Sequence, residues 1–180
     1  GVQVRAGAKL VLDGGGGRFT VPSLTLDAGG RIDVGMSQLS IRSGFSRDAL
    51  LAAIDAAKGD DGMWAGTSGI GSSVVQGMVA EGINRTLGWL GWVDNGDASF
   101  KVGFAAAGDS NLDGCVDVMD LGNIFQQMDG DPAEAVTWNA GDFNHDDRVD
   151  IVDFAELFEV GLFGEGSYLP AAPPAAPGNV

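Results

Sequence analysis

Two segments in the C-terminal half of the sequence repeat the same spacing of short, oxygen-bearing side chains. GDSNLDGCVDVMDLGNIF begins at Gly108 and GDFNHDDRVDIVDFAELF begins at Gly141, an offset of 33 residues. After each glycine, Asp or Asn occupies positions 1, 3, 5, 9 and 12, which is the spacing of a twelve-residue calcium loop. The predicted side-chain ligands are Asp109, Asn111, Asp113, Asp117 and Asp120 in loop 1, and Asp142, Asn144, Asp146, Asp150 and Asp153 in loop 2.

The coordination chemistry of Ca²⁺ explains this spacing. The ion takes six to eight oxygen ligands at about 2.3–2.6 Å, and only short side chains reach it from alternate positions of a tight loop. Position 7 contributes its backbone carbonyl, so its side chain is free to differ, as Cys115 and Arg148 do. Mg²⁺ fits less well because it demands octahedral geometry and keeps its waters. We expect two Ca²⁺ ions, and partial unfolding without them because the clustered carboxylates repel one another.

The paired loops, each followed by apolar residues at helical spacing, resemble the duplicated calcium-binding repeat of type I dockerin domains. The resemblance covers about residues 108–163 and implies that the ligands named above form two sites. Position 6, which needs left-handed backbone, is Gly114 in loop 1 and Asp147 in loop 2. We therefore expect the second site to be the weaker one.

Positions 10 and 11 of each loop are the candidate partner-binding positions, because cellulosomal dockerins often carry Ser-Thr there for recognition of cohesin. In this sequence both pairs are apolar, which suggests that they pack on another apolar surface such as the preceding β-rich part of the chain. The four residues are Val118, Met119, Ile151 and Val152.

The elements upstream of the loops are predicted from hydrophobic periodicity. Apolar residues alternate at period two through residues 1–44 with Gly-rich or polar breaks, which predicts short strands. Helical spacing predicts two short helices near residues 46–58 and 72–80. The turn sequence Asp-Asn-Gly-Asp at residues 94–97, between two apolar runs, predicts a β-hairpin.

These elements predict a mixed fold. We expect a β-rich N-terminal part over residues 1–107, solenoid- or meander-like, with two short helices and one hairpin. A small α-helical, dockerin-like module with the paired calcium loops follows over residues 108–165. Residues 166–180 are rich in Pro and Ala and are expected to form a linker or tail.

The upstream part has a looser resemblance of its own. The run from Leu24 through the helix to W-x-G-T-S-G-I-x-S-S at Trp64, then L-G-W and the hairpin, is similar to the C-terminal end of large exported bacterial proteins. Those proteins carry autotransporter-like β-solenoids that lead into a dockerin-like pair. The resemblance implies an extracellular protein of a bacterial cell surface or matrix.

Composition argues against several classes of protein. The 10 Lys and Arg against 25 Asp and Glu give a formal net charge of −15, which disfavours binding to nucleic acid or to anionic membranes. No apolar run approaches the roughly 20 residues of a membrane-spanning helix. With one Cys and one His, the chain can form neither an internal disulfide nor a zinc site built from His and Cys.

Other chemistry-bearing residues do not assemble into a catalytic pattern, so we do not expect an enzyme. His145, the only histidine, lies at position 4 of loop 2, where an exposed loop residue is expected. The four tryptophans are expected to be core or interface anchors, with a sugar-binding platform as the alternative. Asn84, in Asn-Arg-Thr, is a candidate glycosylation site.

The expected function is structural or adhesive. Ca²⁺ would stabilise the C-terminal part, and the chain would act as an extracellular structural protein, with a subunit of a surface filament or matrix as one form of this role. The alternative is a dockerin-type binding module that recruits a cohesin-like scaffold partner. The expected partners are therefore other protein subunits, copies of the same chain, or a surface scaffold.

Overall fold

The alternating segments of the N-terminal region form short strands that stack in parallel pairs. The computed structural model describes residues 1–12, 15–60, 62–82, 89–128, 137–146 and 148–170. The strands are β1 (Val2–Val4), β2 (Lys9–Val11), β3 (Arg18–Val21), β4 (Leu24–Leu26), β5 (Arg31–Asp33) and β6 (Gln38–Ile41). Each of the first three pairs in parallel with the strand three later in the chain, so Val2 lies opposite Leu24 and Lys9 opposite Arg31.

Three further strands extend two of these sheets. β7 (Gly69–Gly71) adds in parallel to β5. β8 (Trp89–Asp94) and β9 (Phe100–Ala105) form an antiparallel hairpin, and β9 also pairs antiparallel with β6. The predicted hairpin is thus confirmed, and its turn is closed by the Asp94 carboxylate, which accepts a hydrogen bond from the amide of Gly96 at 2.9 Å.

Two helices lie where helical spacing predicts them. α1 (Arg47–Lys58) begins after Ser46, whose hydroxyl accepts a hydrogen bond from the Ala49 amide, and it ends at Gly59 with a φ of 74°. α2 (Ser73–Ala80) begins after Ser72, whose hydroxyl accepts from the Val75 amide. Serine caps of this kind satisfy amides that have no partner within the helix.

One helix follows each predicted calcium loop. α3 (Val118–Met128) follows loop 1, and α4 (Ile151–Glu159) follows loop 2. A short 3-10 helix, Trp138–Ala140, precedes loop 2. α4 begins with a capping box. The Asp150 carboxylate accepts the backbone amide of Asp153, and the Asp153 carboxylate accepts the backbone amide of Asp150. Among the described residues, no helix has the length and apolarity needed to cross a membrane.

The predicted fold class is wrong. The described residues form a small mixed α/β domain with four α-helices and three sheets of short strands, and these sheets do not close into a solenoid. A separate α-helical dockerin-like module is not seen, because one cluster of buried apolar residues runs from Val4 in β1 to Leu157 in α4 and Leu169 beyond it. Alternation predicted strands with one buried face, but it could not predict which strands pair. β9 pairs antiparallel with β6, at the edge where a solenoid would add another parallel strand. The boundaries at residues 107 and 165 stay a prediction.

Candidate metal centre

The two predicted calcium loops adopt the same backbone closure at equivalent positions. At position 1, the carboxylates of Asp109 and Asp142 each accept a hydrogen bond from the amide at position 5, both at 3.1 Å. At position 12, Asp120 accepts from the amides of Asp117 and Ser110, both at 2.9 Å. Asp153 accepts the corresponding two amides of loop 2 at 2.9 and 2.8 Å. The sequence repeat is therefore also a repeat of loop geometry.

The same correspondence holds for positions 5 and 9. Asp113 accepts from the Cys115 amide at 2.9 Å, and Asp146 accepts from the Arg148 amide at 3.0 Å. The position 9 carboxylates, Asp117 and Asp150, each accept from the amide two residues later at 2.8 Å. The same local turns therefore form at positions 5 and 9 of both loops.

Each loop packs against the helix that follows the other loop. Gly108 and Gly141, which precede the loops, have φ values of 99° and 114°. A Cβ at Gly108 would lie 2.8 Å from Leu157 of α4, and one at Gly141 would lie 3.0 Å from Ile124 of α3. Both sites need glycine, because the backbone is left-handed and no space is left for a side chain. The two loops therefore form one reciprocal unit.

Position 4 anchors each loop to the rest of the protein. Leu112 and His145 have φ values of 54° and 58°, which are uncommon for residues other than glycine. Leu112 is only 2% exposed in the core. The His145 ring lies among three tryptophan rings, with centroid distances of 6.2, 5.7 and 5.5 Å to Trp64, Trp89 and Trp138.

The interpretation of His145 as an exposed loop residue is wrong. Its Nε2 atom is buried and has no hydrogen-bond partner among the described residues. Burial, helped by the charge of Lys58, lowers the pKa of His145 to about 4. The side chain is thus a neutral element of the core, and the indole N–H of Trp138 beside it donates to the Asp109 carbonyl at 2.8 Å.

Asp109 at position 1 of loop 1 and the two position 12 carboxylates accept hydrogen bonds from neutral groups. Asp109 accepts from two loop amides and from the Tyr168 hydroxyl, and none of these groups carries a positive charge. Burial is the main cause that raises the pKa of Asp109 to about 7. Burial also raises the pKa of Asp120 and of Asp153. A divalent cation would supply the charge that these carboxylates lack.

An unsatisfied oxygen in loop 1 fits the requirement of a hard cation. Oδ1 of Asn111, at position 3, is buried and has no hydrogen-bond partner among the described residues. Buried polar atoms without partners are rare, and a bound ion is one recognised explanation. In the described ranges, however, no group of three or more His, Cys, Asp or Glu side chains is arranged to hold a metal ion. Calcium binding therefore stays a prediction.

Two polar residues near the loops escaped the sequence analysis. Tyr168 lies in the segment expected to be a linker, yet its hydroxyl donates to Asp109 Oδ2 at 2.5 Å. Glu156, in α4, has a buried Oε2 atom without a hydrogen-bond partner among the described residues. Burial, followed by the charge of Asp153, raises the pKa of Glu156 to about 7. Neither residue belongs to the repeated spacing, so the sequence carries no signal for them.

The four candidate partner-binding residues lie on the surface. Val118 is 69% exposed, Met119 66%, Ile151 70% and Val152 49%. The expectation that they pack on the β-rich part is therefore wrong. Phe125 and Phe158, seven residues after Val118 and Ile151, are also exposed, and this continues an apolar stripe along each helix.

The other residues singled out in the sequence are either at least partly buried or outside the described ranges. All four tryptophans are buried, so they offer no exposed platform for a sugar ring. Cys115 is half-buried, and burial together with nearby Asp113 raises the pKa of its thiol. The candidate glycosylation site Asn84, the position 6 residue Asp147 and residues 171–180 lie outside the described ranges.

Comparison of the chain with protein-family models, curated proteins and solved structures finds no match.

Proposed function

We propose that loop 1 and loop 2 each bind one Ca²⁺ ion and that binding is coupled to folding of the region that contains them. The observation that carries this proposal is the position-by-position agreement of the two loops in backbone closure, from position 1 to position 12. An acidic turn that only faces solvent would have no reason to repeat this closure around buried carboxylates.

The residues present fit this ion. The side chains that would hold Ca²⁺ are the Asp and Asn residues at positions 1, 3, 5, 9 and 12, together with the carbonyls of Cys115 and Arg148. The bound ion supplies two positive charges to carboxylates whose pKa values burial has raised. The unpartnered Oδ1 of Asn111 supports loop 1 in particular.

Calcium binding would be transmitted to the β-rich part through position 4. Closing each loop carries Leu112 into the core and His145 between the tryptophans of residues 64, 89 and 138. Because Trp89 belongs to β8, closure of loop 2 would place His145 against a strand of the hairpin. We infer a structural or adhesive role for the chain at an extracellular bacterial surface, in which Ca²⁺ stabilises the protein.

The test is a calcium titration of the full chain after chelation. Calorimetry would count bound ions, circular dichroism would follow helix content, and tryptophan fluorescence would follow the aromatic cluster around His145. We expect two ions, a gain in helix and a fluorescence change that saturates with the ions, while Mg²⁺ at the same concentration gives a weaker response. No heat and no structural change at millimolar Ca²⁺ would refute the proposal.

The exposed apolar residues on α3 and α4 favour a second candidate, a module that docks on a cohesin-like scaffold protein. Val118 and Ile151 would lie in the contact, together with the residues that follow them. Replacing both with Glu should leave calcium binding unchanged and abolish a complex with such a scaffold. Light scattering during the calcium titration separates the structural role from the docking role. Growth of large particles favours a structural protein that assembles with copies of itself, and a constant monomer favours docking on a scaffold.

A further inference from the structure

The last described segment of the chain, residues 162–170, passes over loop 1, and we call it the C-terminal strap. The Gly164 amide donates to the Val116 carbonyl at 2.9 Å, and the Tyr168 amide donates to the Gly114 carbonyl at 2.9 Å. A parallel bridge joins Val116 to Phe163. The strap therefore holds the backbone of loop 1 at positions 6 and 8.

The contact between the strap and position 6 is close. Gly114 has a φ of 85°, and a Cβ there would lie 2.9 Å from the Leu169 side chain. Leu169 is itself buried. Glycine at this position therefore allows the left-handed backbone of the loop and also leaves room for the Leu169 side chain of the strap.

The strap also reaches the first predicted ligand. The Tyr168 hydroxyl donates to Oδ2 of Asp109 at 2.5 Å, and the Gly114 amide donates to the same oxygen at 2.9 Å. Among the described residues, the other oxygen, Oδ1, accepts one longer bond, from the Asp113 amide at 3.1 Å. Two donors therefore fix the rotation of the carboxylate and leave Oδ1 as the oxygen with spare capacity for a cation.

The Tyr168 side chain is suited to this task. Its ring packs near Phe104 of β9, with a centroid distance of 6.4 Å, and this contact holds the ring that bears the hydroxyl. Burial, followed by the charge of Asp109, raises the pKa of Tyr168 far above its usual range.

We propose that Tyr168 is a positioning residue for the cation of loop 1, and that the strap makes loop 1 the tighter of the two sites. This inference rests on the proposed calcium function. Partners that orient a metal ligand from outside the coordination shell commonly change metal affinity by about 10- to 100-fold. The hydroxyl acts in this way, since it touches the ligand and not the ion.

The experiment uses full-length variants in which one loop at a time is disabled. Asp113→Asn removes a charge from loop 1, and Asp146→Asn is the matched change at position 5 of loop 2; both residues are exposed, and Asn can still accept the same amide. Tyr168→Phe is added to each variant and to the unmodified chain. Phe keeps the ring and deletes only the hydroxyl.

With loop 2 disabled, we expect Tyr168→Phe to weaken calcium binding by about 10-fold in calorimetry. With loop 1 disabled, the same change should alter the remaining affinity by less than about twofold. Circular dichroism at saturating Ca²⁺ checks that all variants reach the same helix content.

A Tb³⁺ readout separates positioning from general loosening. Trp138 donates to the backbone of Asp109, so its indole can sensitise Tb³⁺ bound in loop 1. Luminescence lifetimes in H₂O and D₂O count the waters on the ion. Tyr168→Phe removes one of the two donors that hold Oδ2 of Asp109, so the carboxylate can turn and bring this oxygen to the ion, and we expect the number of waters on loop 1 to fall.

The outcomes distinguish this inference from the function on which it rests. If each disabled variant binds one ion and Tyr168→Phe leaves loop 1 unchanged, the role of Tyr168 is refuted and the calcium proposal stands. An equal loss at both loops would also refute it, because the strap contacts described here are made with loop 1. If the unmodified chain binds no calcium, both proposals fail.

Discussion

Two buried aspartates, Asp33 in β5 and Asp109 in loop 1, show opposite solutions to the same problem. Asp33 forms an ion pair with Lys9 at 2.9 Å, and it accepts hydrogen bonds from the amides of Gly35 and Ser73. Burial alone raises the pKa of Asp33, but the Ser73 amide at the start of α2 and the Lys9 ammonium outweigh it and hold the pKa below its usual range.

Asp109 also accepts several hydrogen bonds, but none of its donors is positively charged. Its partners are the amides of Asp113 and Gly114 and the Tyr168 hydroxyl, and burial wins, so the pKa rises to about 7. The β-rich part thus carries its own counter-charge. In loop 1, Lys101 and Arg18 donate to the backbone carbonyls of Asn111 and Asp113, whereas the donors to the Asp109 carboxylate are all neutral. A buried carboxylate surrounded only by neutral donors is prepared for a cation from solution.

The largest expected effect is the pH dependence of the calcium-free protein. Because the pKa of Asp109 is higher in the folded state than its ordinary value, the folded protein binds more protons between about pH 4 and 7. Its free energy of unfolding should fall as pH rises through this window, by about 4 kcal/mol from Asp109 alone. Urea denaturation of the unmodified chain and of Asp109→Asn at pH 4.5 and 7.5 with a chelator isolates this fall, because His145, whose lowered pKa acts in the opposite direction, and Glu156 contribute to both proteins.

Calcium should reverse that trend. Binding requires ionised carboxylates, so at pH 7.5 an excess of about 1,000-fold over the dissociation constant should restore about 4 kcal/mol per site. At pH 4.5 the gain should be much smaller. A fall with pH that is as large in Asp109→Asn as in the unmodified chain would contradict the contrast between Asp109 and Asp33.

A smaller effect is expected from Asp33→Asn. The change removes the charge that Lys9 and two amides stabilise, and hydrogen bonds to charged groups are worth about 1.5–3 kcal/mol. We expect a loss of about 2 kcal/mol in the free energy of unfolding, equal with and without Ca²⁺, measured by urea denaturation. Lys9→Met is the control for the share of the ion pair. A loss that appears only with the chelator would mean that Asp33 also depends on the cation.

The smallest effect is expected from Asp113→Asn and Asp146→Asn in the absence of calcium. Both carboxylates are exposed, and their amide partners can be kept by Asn, so stability should change by less than about 0.5 kcal/mol. With Ca²⁺ present, each variant should lose one bound ion and the stability that it provides. Thermal unfolding with calcium and with chelator compares the two conditions. A large loss already without calcium would show that these side chains have a structural role of their own.

Short-range features were predictable from the sequence. The repeated spacing of Asp and Asn predicted two loops of the same form, Ser46 and Ser72 marked the starts of α1 and α2, and the Asn-Gly turn marked the hairpin. Each of these features depends on residues a few positions apart, where backbone geometry limits what can touch.

Long-range features were not predictable. His145 was predicted to be exposed, although Trp64 and Trp89 from distant segments pack against it together with Trp138. Tyr168 was predicted to lie in a linker, although its hydroxyl donates to Asp109, 59 residues away. A solenoid-like part and a helical module were predicted as separate units, whereas one core joins them. Alternation and helical spacing show that a face is buried, but they do not show what covers it.

The sequence by itself therefore determined the two loops, their candidate ligands and the caps and turns around them, because local spacing dictates which short side chains can face one point. Only the tertiary structure decided that Leu112 and His145 anchor those loops in the core, that the strap contacts loop 1, and that Val118 and Ile151 remain exposed. The physical reason is that burial and the charge around a carboxylate depend on distant residues, which packing brings together and spacing along the chain does not encode.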